Sequence, residues 1–170
     1  KGLGGFHLAV DAFSEPAVAE LRRRKRRDAK PFALMAATVE TIGRCAEVDD
    51  RAIEWLTAPE SPIVLLDKKT PNPIAPSAAL GTHRFGFILC YTPLHHLLFA
   101  EPGIDVLVMT SANLSDEPLI CKNDPALDQM ADIADVFVMH DREIFRQVDD
   151  SVIHEVNGAA APLRRARGYV

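Results

Sequence analysis

The sequence predicts an α/β (α+β) domain organised on a mixed β-sheet. Three observations carry this. Short β-type runs alternate with helix-length segments along the 170 residues, without the regular period of a βαβ repeat. Val106-Leu107-Val108-Met109 is an unbroken apolar run, the pattern of a strand covered on both faces. Helix-opening signals recur: Ser14 stands before Glu15 and Pro16, and Asp124 before Pro125. Apolar residues make up 48% of the chain and charged residues 25%, enough for a core and too apolar for disorder. One domain spanning residues 1–170 is expected.

Phe6 to Val10 reads as the first strand, after the backbone-exposing opening Lys1-Gly2-Leu3-Gly4-Gly5. A helix follows from Ser14, with Val18 and Leu21 on its apolar face. Arg22 to Arg27 fill its last turns, where cations suit the negative end of the dipole. Pro31 forbids continuation, and Phe32 to Met35 is a short strand. Thr38 to Ala46 and Asp49 to Leu56 read as helices, the second capped by Asp49 with Ile53 and Leu56 on one face. Pro62 to Leu66 is a strand, and proline-rich Thr70 to Pro76 a loop. Phe85 to Leu89 is a strand, and Pro93 to Phe99 a helix carrying His95 and His96. Past the Val106 strand, Asp124-Pro125 opens a helix, and Val136 to Met139 and Val152 to Val156 are strands. Asn157-Gly158 marks a turn, and Leu163 to Tyr169 is a basic tail.

Net charge is −5, so the whole surface is not built to coat nucleic acid, and any anion site is local. No apolar run approaches the roughly 20 residues that span a bilayer, and no secretory signal is visible. The cysteines, Cys45, Cys90 and Cys121, are sparse and unpaired in spacing, which fits a reducing, cytoplasmic compartment. No metal site is expected, because His and Cys are scattered without ligand spacing. Lys1 opens directly on a strand-to-loop element, which reads as a domain of a longer protein.

Two elements carry chemistry. Thr110-Ser111-Ala112-Asn113 crowds small hydrogen-bonding groups at the C-terminal mouth of a core strand, where open α/β sheets bind ligands. Arg22 to Lys30 holds seven cations in nine positions. Read locally, the first is a turn closing a strand and the second a solvated surface. In the functional reading, Lys25, Arg27 and Lys30 turn into a cleft and bind phosphate, Arg by its planar fork and Lys as a point charge. The opening glycines match neither GxGxxG nor a Walker A loop. His7 reads as a core histidine, and adjacent His95 and His96 point different ways. Asp149-Asp150 reads as a polar turn, and Ser111 lacks the base and orienter of a triad.

Taken in order, KGLGGFHLAVDA, RKRRDAKPFALM, YTPLHHLLF, MTSANLSDEP, VDDSVIHEVNG and PLRRARGYV resemble the YrdC-like domain of the hydrogenase-maturation carbamoyltransferases of HypF type. The resemblance covers nearly the whole chain. It implies an open twisted mixed sheet with flanking helices and a concave basic cleft. It also implies an adenylating enzyme that uses ATP and Mg²⁺ to make carbamoyl-adenylate from carbamate, itself derived from carbamoyl phosphate. In the family the carbamoyl group passes through other domains of the same polypeptide to HypE, and becomes the cyanide ligand of a nickel–iron hydrogenase.

The resemblance assigns catalysis to Lys25 and Arg27. It assigns ATP or carbamoyl binding to Lys30, Ser111, Asn113, Ser151, His7 and Arg164 or Arg165. Because the cleft would be solvated, Lys25→Ala is expected to fold normally. The related synthases of threonylcarbamoyl-adenylate resemble T-D-T-x-Y-G-L where this chain has Gly2-Leu3-Gly4-Gly5-Phe6-His7-Leu8, which favours the smaller carbamate. Cys90, Val10 and Ala112 depart from the family pattern without removing a charged or hydrogen-bonding group. Two alternatives stand beside this: threonylcarbamoyl-AMP synthesis for tRNA modification, and a double-stranded RNA-binding module.

Overall fold

The structure is a computed structural model describing residues 1–113 and 117–169; Leu114 to Asp116, within the Met109–Pro118 motif, and Val170 lie outside the described residues. Along the chain come β1 (His7–Asp11), α1 (Glu15–Arg24), β2 (Ala33–Ala36), α2 (Val39–Gly43), α3 (Asp50–Leu56) and β3 (Ile63–Asp67). A 3-10 turn at Pro76–Ala78 leads to β4 (Arg84–Leu89), α4 (Pro93–Phe99), β5 (Val106–Ser111), α5 (Asn123–Gln129), β6 (Val152–Val156) and β7 (Ala159–Arg164). The strands form one mixed sheet in the order β1-β5-β2-β4-β3-β6-β7. β5 is antiparallel to both neighbours, whereas β2 and β4, and β3 and β6, run parallel.

The unbroken apolar run of β5 is explained by two cores. Val106 and Val108 join the larger core, which includes Val18 of α1, Ile42 of α2, Leu56 of α3 and Ala126 of α5. Leu107 and Met109 join a smaller core on the other face with Met35, Ile63 and Ile88, against which Phe99 of α4 packs. A strand buried on both sides has no polar face to alternate with.

Capping follows side-chain chemistry. Ser14 accepts the N–H of Ala17 at 3.4 Å, and Asp49 that of Ala52 at 2.8 Å. Thr38 and Thr92 open α2 and α4 in the same way.

Several expectations are corrected. α2 is shorter than Thr38 to Ala46, α5 begins at Asn123 without a side-chain cap, and Ala52 rather than Ile53 shares the buried face with Leu56. The tail is preceded by β7, which pairs with β6 through the Asn157-Gly158 turn, both residues having positive φ. Its sequence Ala-Ala-Ala-Pro-Leu-Arg lacks the β-branched residues that mark a strand. Val136 to Met139 is not a strand: the segment has no ladder partner among the described residues, and Val136 is 78% exposed.

Candidate functional site

β5 ends at Ser111, directly opposite His7 of β1, and so delivers the Ser111–Asn113 backbone to one end of the sheet. α1 meets it there. Val18, Leu21, Arg22 and Lys25 are all buried and fall at i, i+3, i+4 and i+7, so the apolar stripe of the helix ends in two cations.

The helix stops without glycine. Arg27 N–H bonds to Arg22 C=O and Arg26 N–H to Arg23 C=O, the paired bonds of a Schellman turn, with Arg26 in the left-handed region at φ 51°. A non-glycine residue there carries backbone strain of about 1 kcal/mol. The Arg22 guanidinium ties the loop down, donating to the carbonyls of Arg27 (2.7 Å), Lys30 (3.3 Å) and Ser77 (2.7 Å).

Lys25, expected in solvent, is 1% exposed. Its ammonium donates to the Ser111 carbonyl at 2.7 Å, the Asn113 carbonyl and Asn113 Oδ1 at 3.1 Å, which uses all three protons. Ser111 Oγ bonds to the same Oδ1 at 2.7 Å, and Asn113 Nδ2 donates to the Glu117 carbonyl at 2.6 Å. Arg27 folds back onto the Lys30 and Pro31 carbonyls with its guanidinium over Phe32, while Lys30 is exposed.

Burial, then repulsion from Arg27 and Lys30, pulls Lys25 down to about 8. Burial, then Arg22 and Arg164, pulls Arg27 down to about 10. Among the described residues no carboxylate forms an ion pair with Lys25, Arg27 or Lys30. The cations therefore repel one another without compensation, and an anion bound among them would relieve that repulsion.

This has a measurable pH signature. Lys25 has a folded-state pKa below its unfolded value of about 10.4, so the unfolded chain keeps this proton longer, and the residue's contribution to stability rises with pH between the two values. An incoming phosphate recharges Lys25. Binding of a phosphate group there should take up a fraction of a proton near pH ~9 and much less near ~7.5, read by calorimetry in buffers of different ionisation enthalpy. Lys25→Met should abolish the difference.

A second cluster lies behind the His7–Ser111 pair. Asp150 accepts from Arg167 at 3.0 Å and from the Tyr91 hydroxyl at 3.3 Å, and His7 Nε2 faces its other oxygen at 3.8 Å. Arg167 stacks on Tyr91 at 3.9 Å and also donates to the Glu60 and Ser61 carbonyls. His95 meets the Tyr91 ring edge-on. Burial lowers the pKa of His7 against the pull of Asp150, and takes His95 to about 4, so both rings are neutral at neutral pH.

The expected residues therefore divide. Lys25, Ser111 and Asn113 are directly bonded, Arg27 and Lys30 stand beside them electrostatically, and Arg164 reaches Arg27 by repulsion. Ser151 is fully buried; its hydroxyl accepts from Ala166 N–H and donates to the Arg167 carbonyl, holding the C-terminal turn. Arg164 is half-exposed, 3.9 Å from Asp149, and Arg165 is exposed. Sequence reasoning missed Arg22, Tyr91, Asp150 and Arg167. The signal for Arg22 was its place on the Val18–Leu21 stripe; Tyr91, Asp150 and Arg167 stand in YTPLHHLLF, VDDSVIHEVNG and PLRRARGYV, but nothing local singled them out within those motifs.

The glycine loop leaves no room for side chains. A Cβ at Gly2 would lie 2.8 Å from the Gly5 carbonyl and 3.2 Å from the His7 ring, and one at Gly4 2.1 Å from the Val148 carbonyl. Close backbone approach, rather than a turn, requires glycine here.

Comparison with known proteins agrees. The Sua5–YciO–YrdC family model, described as "Telomere recombination", matches residues 1–166. The chain is 49% identical over 172 residues to carbamoyltransferase HypF of Rhodobacter capsulatus, covering 100% of this chain and 22% of that protein. It is 46% identical to HypF2 of Cupriavidus necator, covering 99% of this chain and 23% of the relative. A crystal structure of full-length HypF in a phosphate- and nucleotide-bound form superposes with TM-score 0.95 at 45% identity, over all of this chain and 27% of that one. The chain thus spans about a quarter of the length of these relatives. It belongs to the Sua5–YciO–YrdC family, and over its whole length it is similar to one segment of the HypF carbamoyltransferases.

Proposed function

We propose that this chain is the adenylating domain of a HypF-type carbamoyltransferase, converting carbamate and ATP into carbamoyl-adenylate and pyrophosphate. The observation that carries the reading is the buried Lys25 ammonium held by Ser111 and Asn113 within uncompensated positive charge. A carbamate oxygen bonds to the α-phosphorus while the bond to the bridging oxygen of the leaving pyrophosphate breaks, and pyrophosphate takes that electron pair. No protein nucleophile is needed. The protein's task is positioning and stabilising charge on the phosphoryl oxygens.

Lys25 and Arg27 serve the carbamate and α-phosphate. Lys30, with Arg164 or Arg165, serves the β- and γ-phosphates. Ser111 and Asn113 hold Lys25 and offer hydrogen bonds to phosphate or ribose, and Ser151 acts by holding the Arg167 turn. Neutral His7 walls the acyl end. Among the described residues no three His, Cys, Asp or Glu side chains converge as a metal site. Magnesium would therefore enter with the nucleotide phosphates, supplying charge neutralisation there with few protein ligands, and no step is routed through it. The carbamoyl group would reach HypE through other domains of the same polypeptide, carbamoyl phosphate being the upstream source of carbamate.

The competing substrate is N-carboxythreonine. The crowding at Gly2 and Gly4 speaks against it, because the family's threonines at these places would collide with backbone. ATP–pyrophosphate exchange decides. Exchange with bicarbonate plus ammonium, and not with bicarbonate plus threonine, is expected. Exchange with threonine alone would move the chain to threonylcarbamoyl-AMP synthesis. Salt-sensitive binding of double-stranded RNA without any ATP binding would overturn the nucleotide site.

A further inference from the structure

Arg22 is 8% exposed, yet among the described residues it forms an ion pair with no carboxylate. Burial lowers its pKa against the pull of Asp28 and Glu15. Its acceptors are main-chain carbonyls instead. Nε and Nη2 donate to Ser77 C=O at 3.0 and 2.7 Å, and Nη1 to those of Arg27, Asp28 and Lys30 at 2.7, 3.4 and 3.3 Å. One planar fork therefore spans two loops, and carbonyls satisfy its N–H groups without neutralising its charge.

The turn at Pro76–Ala78 is itself fixed. Ser77 N–H and Oγ both donate to the Glu15 carboxylate, at 3.0 and 2.5 Å, and Ala78 C=O accepts from Phe32 N–H at 2.9 Å. The Phe32 ring lies 4.6 Å from the Arg22 guanidinium and 4.9 Å from that of Arg27. The carbonyls of Arg27, Asp28, Lys30 and Pro31 all turn onto one or other of these two groups. These peptides are trans, which sets N–H opposite C=O, so the Asp28 and Ala29 N–H groups turn away from Arg22. Neither donates to a partner among the described residues, and both residues are exposed. Successive free N–H groups beside cations suit an anion.

We infer that Arg22 is a positioning residue for anion binding. Its fork, seated on Ser77, sets loop 27–30 so that Arg27, Lys30 and the Asp28 and Ala29 N–H groups meet a phosphate together. That the phosphate belongs to ATP rests on the adenylation reading; the dependence of the loop on Arg22 does not.

Inorganic pyrophosphate is the probe, with binding read by calorimetry and folding by urea denaturation. Arg22→Lys keeps the charge and loses the fork, and should weaken binding about 10- to 100-fold. Lys30→Ala should cost much less in the Arg22→Lys background than in wild type, because the loop is already misplaced. Additive costs would make Arg22 a source of stability alone and overturn the inference, as would wild-type affinity in Arg22→Lys. Glu15→Ala is the independent check, since it loosens Ser77 and forms no bond with Arg27 or Lys30. It should weaken binding about 2- to 5-fold. Unchanged affinity there overturns the inference even where Arg22→Lys does not fold. Arg22-dependent pyrophosphate binding without ATP–pyrophosphate exchange would sink the adenylation reading and keep the loop. Exchange that Arg22→Lys leaves untouched would keep that reading and sink the inference. No pyrophosphate binding by wild type would overturn both.

Discussion

Lys25→Ala is expected to lose adenylation and stability together. The lysine is a structural tie as well as a cation, because its three protons hold the turn after β5. Removing them strands acceptors in a site with little water, at a cost of about 2–3 kcal/mol. Relief of a desolvated charge offsets part of this. The catalytic loss is larger: withdrawing a preorganised positive charge from beside developing phosphoryl charge costs about 100- to 1,000-fold in rate, by analogy with a lost oxyanion-hole group. Lys25→Met separates the two effects, since it keeps the stem that packs beside Leu21 and removes the charge. Urea denaturation should place Lys25→Met between wild type and Lys25→Ala, while pyrophosphate exchange should be lost in both. Near-normal exchange in a folded Lys25→Met would refute the assignment.

The difference between an expected solvated lysine and a buried one shows where sequence stops informing. Seven cations in nine positions make the end of α1 look like surface on every side. The stripe Val18, Leu21, Arg22, Lys25 was present in the spacing, yet charge at its last two positions hid it. The turn that follows is a Schellman motif with arginine where glycine is usual, so the customary mark of that geometry was absent. By contrast, β5 and α4 were legible, because an unbroken apolar run and a Thr-Pro opening each have one strong local cause.

Val136–Met139 has a strand's sequence but no ladder partner among the described residues, so its local preference is not realised as a strand. Strand formation needs a neighbour, which no window of sequence reports. Arg167 was illegible for a related reason. Three arginines in a basic tail are equivalent until Asp150 and Tyr91, far away in sequence, distinguish one of them.

That convergence predicts the second large effect. Asp150→Ala should destabilise the domain by about 3 kcal/mol, because it leaves the mostly buried Arg167 guanidinium without its carboxylate. The Glu60 and Ser61 carbonyls would still accept from Arg167, but carry no compensating charge. Tyr91 would lose its acceptor, and its burial leaves water a poor substitute. Asp150→Asn keeps an acceptor oxygen for Arg167 and Tyr91 and removes only charge, so it should cost roughly half as much. Equal losses for the two variants would mean that charge alone matters, and a loss under about 1 kcal/mol for Asp150→Ala would mean that the cluster is solvated. The readout also reaches the proposed acyl pocket. Asp150 is the anion facing His7, so its removal leaves burial opposed only by the weaker pull of Asp149 and lowers the pKa of His7 further. A histidine titration that moves down in Asp150→Ala, followed by NMR, would tie this cluster to the wall beside Gly2. One that does not move would separate them.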